Sequence, residues 1–430
     1  MDAAATRPAC RARRLSAALW VLCAINAASA AVADTAPIAS ISFEGNDRTR
    51  EQVLRRAVDA VPGDPYTEET AEEIRDDLRS LGLFSSVEVA PDPAAVAPGP
   101  PAGGGGRGGG TAGVDVVVTL EERWTLIPIP FFRAGSSGAA GGLFVLESNL
   151  LGYNKQLVGG GTLGSDGFGG FVAYNDPAVL GSRWLFSLSA RAGEDEVENA
   201  TAAGGGEWSY LEDRVGAGGS VGYRFGDRAT TRLGADYEYV SVADSGRPGV
   251  VSDGGAQFVT LTAEVGLSEL DPQLFFSSGY IVEVRAEATP GNAAGAFGAR
   301  ATRTWAVFER HRLEASVRGG VGQRPFVLRD RLGGRDAQRT IEQGTVAADT
   351  WVAGGTLYEL PVLTPQWGTI TTLAFYEGGY IADAGDAYHG GGRGLRLYLS
   401  RITFPALGFD IAWSAAYAYP VFSFSFGGRL

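Results

Sequence analysis

The sequence predicts a transmembrane β-barrel of about 16 antiparallel strands, preceded by one small α/β domain. Three observations predict it. Beyond residues 1–33, no stretch approaches 18 uninterrupted apolar residues, so no membrane-spanning helix is expected. From Arg123 onward the hydrophobic pattern has a period of two, with the charges on one face. The composition is rich in glycine (63) and in Trp and Tyr (8 and 15). Such a chain is either a soluble all-β protein or a membrane barrel, and many long strands with charge confined to one face favour the barrel.

Residues 1–33 read as an export signal. Arg7, Arg11, Arg13 and Arg14 make a basic start, Leu15 to Ile25 an apolar run too short to span a bilayer, and Ala28-Ser29-Ala30 or Ala31-Val32-Ala33 a small-x-small cleavage site. Both cysteines, Cys10 and Cys23, fall inside this segment, so the mature chain is expected to lack disulfides, thiolate metal sites and a cysteine nucleophile. Leu22 stands where a lipidated Cys23 would need a small residue, so no lipid anchor is expected. The net charge of −13 becomes more negative once the basic signal is removed, which argues against a nucleic-acid partner.

Residues 38–122 form the small domain. Ile38 to Glu44 is a strand with Ile41 and Phe43 on one face. Thr49 with Gln52 fits a capping box for a helix whose stripe is Val53, Leu54, Ala57 and Val58. Pro62-Gly63-Asp64-Pro65 breaks it. A second helix begins near Thr67, carries Ala71, Ile74, Leu78 and Leu81, and closes at Gly82. Leu83 to Val89 and Val114 to Leu120 are two more strands, with a low-complexity insert of Pro, Gly and Ala at 91–113 between them.

Residues 123–430 form the barrel. Trp184, Phe186, Leu188 and Ala190 alternate with Leu185, Ser187, Ser189 and Arg191; Leu233, Ala235, Tyr237 and Tyr239 with Arg232, Gly234, Asp236 and Glu238; Tyr280, Val282, Val284 and Ala286 with Ile281, Glu283, Arg285 and Glu287; and Leu395, Leu397 and Leu399 with Arg396, Tyr398 and Ser400. Short connections are expected at Asn149–Lys155, Asn175–Gly181, Gly226–Arg228, Glu269–Phe275, Glu309–Arg310, Pro361–Gln366 and Phe404–Ala406. Longer loops are expected at 193–206, 243–254, 322–346 and 381–391. Short turns at one end and long loops at the other are the asymmetry of outer-membrane barrels.

Two sets of motifs carry a family resemblance. "ISFEGNDRTREQVLRRAV", "LRSLGLFSSVEVA" and "VDVVVTLEE" resemble a polypeptide-transport-associated (POTRA) domain. "ESNLLGYNKQL", "YNDPAVLGSRW" and "LSELDPQLFFSSG", in that order and spacing, resemble successive periplasmic turns of the BamA/TamA superfamily, which includes the bacterial surface antigen family. The resemblance covers nearly all of 38–430. It implies a barrel in the bacterial outer membrane, with the POTRA domain in the periplasm, acting as an insertase or translocase without a cofactor. The partners it implies are outer-membrane lipid, an unfolded client polypeptide or cognate secreted protein, and periplasmic chaperones. A single POTRA domain points to a specialised client rather than general assembly.

The resemblance also implies site residues. In the superfamily the longest loop folds into the lumen with a Val-Arg-Gly-aromatic tip. Here Arg339 takes the Arg position, while Thr340 and Ile341 replace the Gly and the aromatic. Val317-Arg318-Gly319-Gly320 looks closer to the motif but lies in the strand before the loop. The acids implied to hold Arg339 are Glu359 and Glu377, since a charge in such a place needs a carboxylate. A tether of this kind would lock the barrel; the plainer reading is one more lumen salt bridge. The barrel closes between its first strand, with Pro128 and Pro130, and its last, where Phe422, Phe424 and Phe426 face lipid and Gly427 and Gly428 allow a kink. A weak seam there suits a lateral gate, although the prolines can equally precede the first strand. Catalysis is not expected. His311 falls at a short turn and His389 in a long loop beside Asp383 and Asp386, where a protease dyad or calcium loop competes with a simple solvated loop. The competing function is a passive pore or structural barrel that handles no client.

Overall fold

In the computed structural model the described residues are 36–92, 113–135, 138–199, 208–243, 253–308, 310–334, 338–342, 346–399, 405–415 and 420–426. The expected export signal, most of the 91–113 insert, Gly427 and Gly428 lie outside them. The described residues fall into two compact units, those within 36–45 and 57–121, and those within 46–56 and 122–426.

The small unit contains strand β1 (Ile38–Glu44), helix α2 (Glu68–Ser80) and strands β2 (Phe84–Pro91) and β3 (Val114–Glu122); helix α1 (Glu51–Ala57) precedes α2 in the chain. The order strand–helix–helix–strand–strand is the one the hydrophobic pattern predicts. α1 starts at Glu51, so the residue before it is Arg50 rather than Thr49. α2 is capped by Thr67, whose hydroxyl accepts from the Thr70 N–H, and Glu68 and Glu69 sit at its positive end. Its inward stripe is Ala71, Ile74 and Leu78, and Gly82 follows with a left-handed φ of +70°. In the sheet β3 is central, parallel to β1 and flanked by β2. Ile74, Leu78, Val116 and Val118 are fully buried, each worth about 1.5–3 kcal/mol on removal from water.

The large unit is a closed barrel of 16 strands. In chain order they are β4 (Leu126–Gly135), β5 (Gly138–Glu147), β6 (Gln156–Gly164), β7 (Gly167–Asp176), β8 (Trp184–Asn199), β9 (Trp208–Phe225), β10 (Ala229–Ala243), β11 (Gly254–Pro272), β12 (Ser277–Thr289), β13 (Ala294–Val307), β14 (His311–Gln323), then β17 (Trp351–Leu363), β18 (Gly368–Ile381), β19 (Asp386–Leu399), β20 (Pro405–Ser414) and β21 (Val421–Phe426). A two-stranded ribbon, β15 (Asp330–Leu332) and β16 (Val346–Ala348), lies between β14 and β17 in the chain and outside the barrel sheet. Neighbouring barrel strands pair antiparallel, and β21 pairs with β4 to close the ring.

Alternation sorts the side chains. Leu188, Leu233, Val265, Val317 and Leu395 are exposed on the outer wall, the surface a membrane would cover. The inner wall carries opposed charges, among them Arg232 with Glu264 (3.3 Å) and Arg300 with Glu283 (2.6 Å). Part of the lumen is a cavity of about 1030 Å³ lined mostly by such polar groups. The inner wall of β4–β7 differs: Phe131 stacks on Phe144 at 4.7 Å, and Phe144 meets Phe171 at 5.4 Å. Each ring lies over a glycine, since a Cβ on Gly142 would reach within 2.6 Å of Phe131 and one on Gly160 within 2.4 Å of Phe144.

Two expectations are corrected. The connection at 381–391 is not a long loop: β18 ends at Ile381 and β19 starts at Asp386. His389 therefore lies in a strand, where its Nδ1 pairs with the Tyr376 hydroxyl at 3.1 Å. Asp383 accepts the N–H groups of Asp349 and Thr350 instead of joining a metal loop.

Candidate functional site: the inward loop and the seam

The segment from Arg324 to Thr350 leaves the end of β14 and folds inward. β15 and β16 pair across Asp330↔Ala348 and Leu332↔Val346, and the tip beyond them turns at Gly333 (φ +102°) and Gly334 (φ +86°). Only glycine fits at 333, because a Cβ there would stand 1.9 Å from the Glu342 carbonyl oxygen. Leu332, Ile341, Val346 and Ala348 are buried against Ala353, Ile381 and Tyr388 of the wall. Ile341 thus supplies the apolar anchor at the position where the resemblance implies an aromatic. Thr340 is fully buried, and its methyl packs against the backbone at Gly390, where a Cβ would come within 2.8 Å of it.

Arg339 is held on three sides. Its backbone N–H donates to Glu377 Oε2 at 2.7 Å and its Nη1 to Glu377 Oε1 at 3.2 Å. Its guanidinium lies 4.7 Å from the centre of the Phe375 ring. Its Nε stands 3.9 Å from Asp410 Oδ2, and Asp410 is paired with Arg396 at 2.8 Å. The structure therefore brings Arg339 and Glu377 together and sets Glu359 apart. Glu359, 1% exposed, accepts from the Thr371 hydroxyl (2.5 Å), the Tyr398 hydroxyl (2.9 Å) and Arg312 (3.4 Å). The second carboxylate near Arg339 is Asp410, on β20 rather than β17.

The base of the loop is tied to other wall strands by residues the sequence reading did not single out. Arg324 bonds Asp349 through Nε at 3.0 Å, Asp330 at 2.9 Å and Glu287 of β12 at 3.3 Å. Arg331 bonds the Tyr210 hydroxyl of β9, and Arg214 of β9 donates to the Val327 carbonyl at 2.8 Å. Phe326, Val327 and Leu328 pack on Tyr210, Val240, Val242 and Phe258. The loop therefore grips two separate stretches of wall, β9–β12 and β17–β20. The available signal was the spacing of Arg324, Arg329, Arg331 and Asp349 around the glycine turn, but their partners lie more than a hundred residues away in the case of Tyr210 and Arg214.

At the seam, β21 and β4 pair only from Ser423↔Gly135 to Phe426↔Phe132 among the described residues. By contrast β9 and β10 pair from Leu211↔Ala243 to Phe225↔Ala229. Pro128 and Pro130 lie within β4, paired to Val145 and Leu143 of β5. Phe422, Phe424 and Phe426 share the outer face, and Phe424 meets Phe132 across the seam with ring centres 6.4 Å apart. His311 opens β14 and bonds the Tyr358 hydroxyl at 2.5 Å, far in register from His389. Among the described residues no group of three His, Cys, Asp or Glu is placed to hold a metal ion.

The comparisons agree with this architecture. The POTRA family model, described as a surface antigen variable number repeat, matches residues 36–123, and the Omp85 superfamily domain matches 149–358. No curated protein matches the sequence. Among solved structures, the chain is similar to BamA from Haemophilus ducreyi lacking POTRA domains 1–3, with a TM-score of 0.65 and 16% identity over 91% of this chain and 84% of that one. It is also similar to CdiB from Acinetobacter baumannii (TM-score 0.60, 12% identity, 92% and 74% covered) and to CdiB from Escherichia coli (0.61, 12%, 92% and 77%). At these identities the structural likeness speaks for the fold, and the two family models together span more than two thirds of the chain. The chain belongs to the Omp85 superfamily: one POTRA domain followed by a 16-stranded barrel.

Proposed function

We propose that this protein is an outer-membrane insertase or translocase of the BamA/TamA type. In this reading it takes an unfolded client polypeptide, or one cognate secreted protein, at a periplasmic POTRA domain and inserts or exports it through a barrel with a lateral seam. Omp85 barrels are outer-membrane proteins with periplasmic POTRA domains, so the short-turn end of this barrel faces the periplasm and the loop end the exterior. The observation that carries the reading is that Pro128 and Pro130, which cannot donate to a ladder, lie within β4, the strand that closes the barrel against β21. A seam edge short of donors pairs weakly and can open to template another strand. The small sheet offers edges of its own at β1 and β2. No nucleotide or cofactor enters the work, which consists of strand templating.

A passive pore is the second reading, supported by the polar cavity in the lumen. A photo-crosslinking residue at Phe424, compared with one at Phe297 on the outer face of β13, separates the two. The insertase reading expects client polypeptide adducts at the seam position alone. Adducts at both positions alike, or at neither, contradict it.

A further inference from the structure

The outer wall of β18–β20 is built in rows. From the short-turn end, Ile370, Leu397 and Leu407 stand side by side, then Thr372, Leu395 and Phe409, then Ala374, Arg393 and Ile411, then Tyr376, Gly391 and Trp413. Arg393 thus stands above two mainly apolar rows and beneath one with two exposed aromatics. It is solvent-exposed and makes no hydrogen bond or ion pair with any described residue. The carboxylates of these strands do not share its face: Glu377 and Asp410 point inward to Arg339, and Asp386 has the inward parity of β19.

A guanidinium cannot discharge itself by losing a proton, so on a lipid-covered wall it must find an anion or reach water. Its aliphatic stem lets the head rise toward the interface. Gly391, directly above it on the same face, has no side chain, and the Tyr376 ring leans over it, its Cδ2 3.3 Å from where a Cβ would stand. Both aromatics are diagonal neighbours of Arg393, within about 7–8 Å by strand geometry. Above Gly391, His389 and Tyr376 present a hydrogen-bonded pair of polar groups. A planar, permanently charged fork under an aromatic rim suits a phosphate, which it can bind through two parallel N–H donors.

We propose that Arg393, with Tyr376, Trp413 and His389 around Gly391, forms a binding site on the outer wall for a phosphorylated glycolipid headgroup of the outer leaflet. The site rests on the orientation given above, which puts this end of β19 toward the exterior, and is independent of how clients are handled. The test is native mass spectrometry of the full chain purified in detergent, titrated with bisphosphorylated lipid A, with its dephosphorylated form, and with phosphatidylglycerol. The wild-type protein is expected to retain lipid A, and Arg393→Leu about tenfold less, as loss of a charge-assisted contact implies. Arg303→Leu, which removes another outward arginine on β13, is expected to leave retention unchanged. Heat-modifiable gel migration verifies that each variant folds, and Arg393→Gln replaces Arg393→Leu should the latter not. Equal retention by the Arg393 variant, an equal loss in Arg303→Leu, or equal retention of the dephosphorylated lipid overturns the site. Phosphatidylglycerol held as tightly as lipid A overturns its assignment to the glycolipid.

Discussion

Arg339 and Glu377 form the contact through which one turn of loop is fixed to the barrel wall. Both are largely buried, and Glu377 accepts from the arginine's backbone as well as from its side chain. Arg339→Ala leaves the carboxylate buried without its cation, a loss of about 3–5 kcal/mol for a pair of this kind. The measurement is the temperature at which the barrel loses its fast, folded migration on a gel, and the variant is expected to unfold at a clearly lower one. A double-mutant cycle discriminates further. Arg339 and Glu377 are expected to couple by about 1 kcal/mol or more, while Arg339 and Glu359 should be additive within about 0.5 kcal/mol. Coupling of Arg339 to Glu359 equal to that with Glu377 would contradict the geometry. The family resemblance led to Arg339 and Glu377, through its loop-tip motif and the acids it implies on the next two strands. It misassigned Glu359, because the register that sets Arg312 opposite Glu359 exists only once β14 and β17 are aligned. It passed over Asp410 because that residue serves Arg396 first, from a neighbouring strand.

At the scale of elements, the inward loop depends on a backbone turn no side chain can replace. Gly333→Ala sets a Cβ against the Glu342 carbonyl in a φ region that L residues avoid. The strain is about 1–3 kcal/mol and falls on the loop tip. Limited trypsin digestion of folded protein is expected to cut at Arg331 or Arg339 several-fold faster in this variant, with the barrel intact. Unchanged protection would show that the turn contributes nothing to holding the loop. The glycines also explain the largest misreading in the sequence. Gly390 and Gly391 fell in the expected loop at 381–391, yet both lie in β19, as does Gly392. Gly392 is there because the Phe375 ring occupies its side-chain space, with its Cζ 2.5 Å from where a Cβ would be. A glycine that makes room for a neighbour's ring cannot be told from a glycine in a turn without knowing the neighbour. The strands read most easily were those with one clean apolar face, such as β8 and β12.

The whole barrel is a ring closed by β4 and β21, with a loop that grips its inner wall at two places. The ring and its approximate strand number were legible because lipid on one side and water on the other impose a two-residue period along every strand. The seam's register, from Ser423 opposite Gly135 to Phe426 opposite Phe132, was not, since register is a property of two strands brought together from opposite ends of the barrel sequence. If the loop fills the lumen, the full chain in planar bilayers is expected to show small, unstable conductance, and deletion of 326–347 a larger and steadier one. A large steady conductance in the intact chain would favour the pore. The most direct test of the account concerns the joint itself. Ala134 and Phe424 are register partners across it, and the chain's own cysteines are confined to Cys10 and Cys23. Ala134→Cys with Phe424→Cys places two thiols within reach of a disulfide. The account predicts that oxidation stops client assembly in living cells and that reduction restores it; an oxidised, fully cross-linked barrel that assembles its client as well as the reduced one would contradict it.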